Sequence, residues 1–196
     1  MNDDLSPILK KVESVDAIIL GSPIYMGTAT GEMRSFMERL VFPYVVYDGN
    51  YSSLFKRKIP TGFIYTMNAT KSQMEERGYA QSFELAEMML VRAFGKVESL
   101  CVTDTYQFDD YSKYVASAFD PEKKAATRKE VFPQDCEKAY NMGMRFAKGN
   151  LTDYGKQIKL CRTFVCAFKF SVLLLSPRVG MAHDVYCLAK QCLIKF

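Results

Sequence analysis

An α/β domain built on a parallel sheet is the fold class this chain predicts, and three observations predict it. The segment Asp16–Arg39 passes from an unbroken apolar run, Ala17-Ile18-Ile19-Leu20, through Gly21-Ser22-Pro23 into an amphipathic stretch. Apolar side chains there recur at Met33, Phe36, Met37 and Leu40. A continuous apolar run is a strand buried on both faces, and the second spacing is that of the helix returning from it. Two more strand-like runs, Ile59–Thr66 and Val97–Tyr106, follow at intervals occupied by helical patterns. Those intervals are long enough for the crossovers that parallel strands require.

The elements follow in order. Before Asp16, Ser6 is an N-cap candidate and Pro7 suits the first helical position, with Ile8, Leu9, Val12 and Val15 as the apolar stripe. Gly31–Val41 is the first crossover helix, ended by Phe42-Pro43, and Tyr44–Lys58 is a turn-rich aromatic connection. A long helix runs from Ser72 or Gln73 to Phe94, with a break at Gly78 and a stop at Gly95. Val97–Tyr106 partly alternates and so belongs near a sheet edge. Asp109–Ala118 has some helical character. The charged run Asp120–Glu130 reads as a solvated helix or loop, and Gln134–Ala147 is the last helix of the domain. The domain spans residues 1–150, and residues 151–196 form a basic, apolar extension.

The residues between Asp16 and Arg39 carry a resemblance. Asp16, Gly21, Ser22, Pro23, Tyr25, Gly27, Thr30, Gly31, Met33, Arg34, Phe36, Glu38 and Arg39 resemble the pattern of the flavodoxin-like NAD(P)H-dependent FMN reductase family. The resemblance implies a three-layer sheet of flavodoxin order 2-1-3-4-5, of which this chain carries the later strands. In that family a first strand and a Ser/Thr/Asn-rich loop precede this segment, and the loop cradles the FMN phosphate at a helix N-terminus. Only fifteen residues precede Asp16 here, and they read as a helix. The fold expected is therefore flavodoxin-like but truncated at its N-terminus.

That expectation creates a physical problem at Ala17–Leu20, which is apolar on both sides and carries nothing to protect it as an edge. A second copy pairs with it, or the tail folds over it, or the start lies inside a longer reading frame. The last is the expectation drawn from sequence, with Met1 an internal methionine.

The resemblance also implies a site. Pro23, Ile24, Tyr25, Met26 and Gly27 would line the isoalloxazine, with Ser22 at the head of the loop and Thr30 near the ring's edge. Tyr65, Thr66 and Asn68 would face the ring system from the other side. FMN is the expected cofactor and NAD(P)H the expected electron donor. A small acceptor (a flavin, a quinone or a nitro compound) is the expected partner, and the protein works as a dimer or tetramer. No side chain here reads as a general acid, base or nucleophile, as expected when the cofactor carries the chemistry. The alternative is a truncated interaction protein that does not retain FMN.

Charge and cysteines narrow the classes. The net charge is +4, and from Leu151 onward seven basic residues face two acidic ones, so the domain itself is near neutral. A near-neutral domain gives no electrostatic case for nucleic acid. Six scattered cysteines without a CxxC pair read as reduced thiols of a cytoplasmic protein. The C-x4-C spacings at 161/166 and 187/192 are wider than structural zinc favours, and His183 is the single histidine. Neither a metal site nor an iron–sulfur cluster is expected. Lys159–Leu175 lacks the run of about twenty apolar residues that a membrane span needs. As a helix it would pack on the domain or a partner, or lie weakly on a membrane surface.

Overall fold

The computed structural model describes residues 3–149, 163–167 and 170–175. The chain enters through α1 (Ser6–Lys11) and a 3-10 turn, then forms β1 (Ala17–Tyr25), β2 (Thr28–Ala29) and α2 (Gly31–Val41). There follow β3 (Ile59–Thr66), α3 (Lys71–Glu76), α4 (Tyr79–Phe94) and β4 (Gly95–Val102). The helices α5 (Pro121–Glu130) and α6 (Phe132–Gly149) precede the two strands β5 (Thr163–Ala167) and β6 (Phe170–Leu175).

The sheet runs in the order β4-β3-β1-β6-β5, and β2 folds back on the end of β1. The pairs β1–β3 and β3–β4 are parallel, which is the later half of the expected order, with β4 at an edge. Alternation along the strands sends side chains to two apolar layers. Ile18, Leu20, Phe63 and Tyr65 pack with Met33, Phe36 and Leu40 of α2 and Phe83, Leu90 and Phe94 of α4. Ala17, Ile19 and Ile64 pack on the other face with Ala139, Met142 and Phe146 of α6. Helices therefore cover both faces, as a parallel sheet requires.

Two expectations change. The strand β1 does not end at Leu20: its ladder with β3 continues through Ser22–Tyr65 to Pro23–Thr66. Ser22 and Pro23, expected at the head of the loop, are therefore strand. Pro23 lies past the last β1–β6 pair, Gly21–Ser171, where one side of the strand makes no further ladder and a missing N–H is tolerated. The second change concerns the tail. The stretch read as a helix supplies β5 and β6, and β6 runs antiparallel to β1 from Ala17–Leu175 to Gly21–Ser171. The backbone groups along the open side of β1 need partners, and this outweighs the weak helical pattern. Of the three partners considered for this edge, the tail is the one that pairs with it here. Cys161, His183, Cys187 and Cys192 lie outside the described residues, as do residues 159–162, 168 and 169 of the expected helix.

Smaller details follow local chemistry. The long helix is split at Gly78, which adopts φ 67°, and α3 begins in a capping box in which Thr70 and Gln73 satisfy one another's backbone N–H groups. Gly95 does not merely stop α4 but opens β4. Only the 3-10 turn Tyr111–Lys113 forms within Asp109–Ala118. Ser6 is the first residue of α1 rather than its cap, and both its N–H (3.1 Å) and its hydroxyl (2.9 Å) donate to Asp3 Oδ1. The same carboxylate pairs with Arg39 of α2, which holds it down at about 2 and ties α1 to α2.

Two outcomes test this packing. A Cβ at Gly62 of β3 would lie 2.9 Å from Met142 Sδ, 3.2 Å from Phe146 Cε2 and 3.3 Å from Ile19 Cγ1. Gly62→Val is expected to lower stability by about 1–3 kcal/mol through overpacking, measured by urea denaturation. Glu87 on α4 is half-buried, and burial raises its pKa above 4.5. Its charge is therefore a cost that appears as pH rises through that raised value and is absent below the unfolded one. Glu87→Gln is expected to raise the Tm at pH 8 and to leave it unchanged near pH 4, in paired thermal melts.

Candidate functional site

The carboxyl ends of β1, β3 and β4 open into a cleft of about 420 Å3. One side is Pro23, Ile24 and Tyr25 from β1, the floor is Thr66, Met67 and Asn68 from the end of β3, and the far side is the segment after β4. Open parallel sheets bind ligands at this end of their strands. The side chains around the cleft carry no Lys, Arg, Asp or Glu.

The β1 side is shaped by a two-residue hairpin. Ile24 pairs with Ala29 and Tyr25 with Thr28, leaving Met26 and Gly27 as the turn. Both have positive φ, 53° and 82°, as a type I′ turn demands. Any Cβ at Gly27 would also lie 3.1 Å from the Tyr79 ring, so glycine is required there twice over. Ser22 is fully buried: its hydroxyl donates to the Pro23 carbonyl (2.8 Å) and accepts the Thr30 N–H (3.1 Å). Thr30 in turn caps α2, its hydroxyl accepting the Met33 N–H (3.2 Å). These two residues fix the hairpin to the helix.

The floor is fixed by a polar knot. Lys124 of α5 is only 6% exposed, pairs with Asp104 and donates to the Asn68 carbonyl (2.9 Å). Asp104, at φ 56°, also accepts from the Thr127 hydroxyl (3.1 Å), and its N–H donates to the Ala69 carbonyl. The Asn68 amide donates from Nδ2 to Gln107 Oε1 (2.8 Å), while its Oδ1 is buried with no hydrogen-bond partner among the described residues. Such an atom costs roughly 1–3 kcal/mol unless something donates to it.

The far side is aromatic. Phe108 and Tyr114 stack with centroids 4.1 Å apart and planes at 16°. Tyr111 stands edge-on to Tyr106 and to Phe108, and its hydroxyl accepts the Gln107 N–H (3.0 Å).

Of the residues predicted from sequence, Pro23, Ile24, Tyr25, Thr66 and Asn68 meet in this cleft. Tyr65 turns the other way, stacked between Phe63 and Phe83 in the α2–α4 layer at 4.1 Å from each. Its buried hydroxyl makes no hydrogen bond of ordinary geometry, and burial first, then the nearby Glu87 carboxylate, raises its pKa. Ser22 and Thr30 are spent on the backbone, and Met26 and Gly27 form the hairpin tip beyond Tyr25. Sequence reasoning missed the segment Thr105–Phe108, Tyr114 and Lys124. The density of aromatic residues after the third strand was the available signal for the far wall; a lysine in a charged run gave none.

Burial and the Glu87 charge push the Cys101 thiol up to about 11, so it stays protonated at neutral pH. No three His, Cys, Asp or Glu side chains among the described residues converge as metal ligands would.

The knot yields a sharp expectation. Lys124→Met leaves Asp104 charged, largely buried and unpaired, and is expected to cost about 3–5 kcal/mol in urea denaturation. Adding Asp104→Asn is expected to recover a large part of that loss, since the stranded charge is gone.

Residues 1–94 match the sequence profile described as NADPH-dependent FMN reductase. A stretch of 37 residues is 46% identical to an iron-sulfur flavoprotein of Methanocaldococcus jannaschii, covering 19% of this chain and 19% of that protein. The chain thus spans about a fifth of the length of that curated relative. A crystal structure described as an NADPH-quinone reductase from P. pentosaceus aligns over 66% of this chain and 74% of its own, at 12% identity and a TM-score of 0.41. No helix among the described residues is long and apolar enough to cross a membrane. FMN is the cofactor named for the matched family, with NADPH as its electron donor. Over residues 1–94, the chain is thus similar to the NADPH-dependent FMN reductase family.

Proposed function

We propose that the cleft at the ends of β1, β3 and β4 holds the ring system of FMN and that the protein passes reducing equivalents from NAD(P)H to a small acceptor. The observation that carries this reading is the unpaired, buried Oδ1 of Asn68 at the floor of an uncharged, aromatic cleft. A flat, neutral ring system with an N–H on its edge satisfies both needs. Bound FMN would supply the two-electron relay between NAD(P)H and acceptor.

The protein's own part is geometric. Pro23 and Tyr25 present a rigid wall fixed by the Ser22–Thr30 hydrogen bond. Asn68 offers its acceptor oxygen from a backbone held by Lys124. Phe108 and Tyr114 keep water from the far side. The reading includes a homo-oligomer, dimer or tetramer, in the cytoplasm. The exposed Phe42 and Leu85 beside the α2–α4 groove support association of copies.

Titration of the full chain with FMN, followed by flavin fluorescence, tests the reading. Saturation near one FMN per chain is expected, with binding weakened about 10-fold in Asn68→Ala by loss of one hydrogen bond. Tyr65→Phe is expected to bind FMN as the parent does and to be at least as stable, because the hydroxyl it loses is buried without a hydrogen bond. A folded chain that does not bind FMN would overturn the proposal and leave a non-catalytic interaction protein.

A further inference from the structure

The connection between α2 and β3 sends its large side chains two ways. Tyr44 and Phe55 pack edge-on with one another at 5.1 Å and with Phe94 of α4 at 5.8 and 5.0 Å, which anchors the base of the loop in the core. Between them the backbone closes on itself: the Val46 N–H donates to the Ser52 carbonyl (3.0 Å) and the Leu54 N–H to the Tyr44 carbonyl (2.8 Å). The Ser53 hydroxyl donates to the Ala93 carbonyl (2.8 Å), tying the loop to the end of α4. On this frame Tyr47, Leu54 and Tyr51 stand 79%, 64% and 53% exposed. Tyr51 holds a φ of 50°, which a bulky residue adopts only where its surroundings impose it, and its ring lies 4.3 Å from the Arg92 guanidinium.

Cations border these side chains. Lys56 and Lys58 follow in the chain, and a Cβ at Gly95 would lie 3.2 Å from Lys58 Cβ, which sets Lys58 close to Arg92 and Lys96. None of these four makes an ion pair among the described residues. Arg57 is spent on Asp16 and on the Glu13 and Val15 carbonyls. The carboxylate of the loop, Asp48, is turned inward onto the Asn50 and Ser52 N–H groups (3.2 and 2.8 Å). Ile59 and Gly95 pair at the start of β3 and β4, so this surface sits at the amino ends of the strands and the cleft at their carboxyl ends.

We propose that this surface docks the protein on an anionic membrane, with Tyr47, Tyr51 and Leu54 entering the headgroup layer and Lys56, Lys58, Arg92 and Lys96 meeting the lipid charges. A tyrosine presents an apolar body and a polar tip, which suits the boundary between headgroups and acyl chains, and long basic side chains reach the headgroups from beside it. A folded acidic partner would need a matching recess for each projecting side chain, whereas a headgroup layer takes them as they stand. Docking at this end leaves the cleft open to water, and the inference does not depend on the flavin reading.

Cosedimentation of the full chain tests this with two kinds of vesicle, phosphatidylcholine alone and phosphatidylcholine with about one-third phosphatidylserine. Partition onto the anionic vesicles alone is expected, and it is expected to fall when salt is raised from about 0.1 M to about 0.5 M. The pair Lys56→Gln and Lys96→Gln is expected to weaken partition about 25-fold, about fivefold for each basic residue removed. The pair Tyr47→Ser and Leu54→Ser is expected to weaken it at least about fivefold through lost apolar contact. All four positions are exposed, so each pair is expected to keep the parent Tm within about 2 °C. Equal partition onto both kinds of vesicle, or onto neither, overturns the proposal. So does unchanged partition in either pair, which would move the contact to another face. Retention on immobilised polyglutamate without vesicle binding would make an acidic protein the occupant and overturns it as well.

Discussion

The pairing of β1 on both of its sides is the constraint on which the rest of this structure depends. Ala17 to Leu20 are fully buried, so every backbone group along them must find a partner within the protein. On one side β3 supplies a parallel ladder from Ile18 to Pro23, and on the other β6 supplies an antiparallel one from Ala17 to Gly21. The mismatch in length between the two ladders is consequential. Past Gly21 the strand keeps β3 but has left β6, and there Pro23 is tolerated and the chain turns back through Met26 and Gly27. The cleft begins where the second ladder ends.

What surrounds that end divides its labour between polar and apolar groups. Ser22 and Thr30 commit their hydroxyls to the backbone, and Lys124 commits its charge to Asp104 and to the Asn68 carbonyl. A buried ion pair of this kind adds little net stability, since desolvation offsets most of the attraction. Its effect is to fix the loops after β3 and β4 to α5, so that Asn68 meets the cleft in one position. The wall facing Tyr25 is then free to be aromatic and uncharged, which suits a flat ring and leaves the reaction chemistry to a cofactor.

Much of this was legible in the sequence, and for physical reasons. The bounds of α2 and β3 came out as predicted because Thr30 is a genuine cap, Gly31 opens an amphipathic repeat, and Ile59–Thr66 is a β-rich apolar run that follows the charged Lys56-Arg57-Lys58. Ser22 and Pro23 misled because their composition is that of a loop, whereas the ladder to β3 decides their conformation. Met26 gave no hint of a left-handed turn, a conformation that side chains such as methionine seldom adopt. The tail was ambiguous in kind: apolar runs interrupted by single charges suit a helix or a strand, and the open side of β1 selects the strand. Half of the predicted site residues meet in the cleft, and the others are those that β-strand alternation, capping or the hairpin turn at Met26 and Gly27 puts elsewhere. The wall at Phe108 and Tyr114 depends on contacts formed only when the segment after β4 folds over β3, which no local pattern encodes.

A crystal structure of the full chain grown with FMN tests the central claim most directly. The account predicts isoalloxazine density between Tyr25 and the Phe108–Tyr114 pair, with a ring N–H against Asn68 Oδ1. Flavin density in the groove between α2 and α4, with the cleft filled by water, would contradict it.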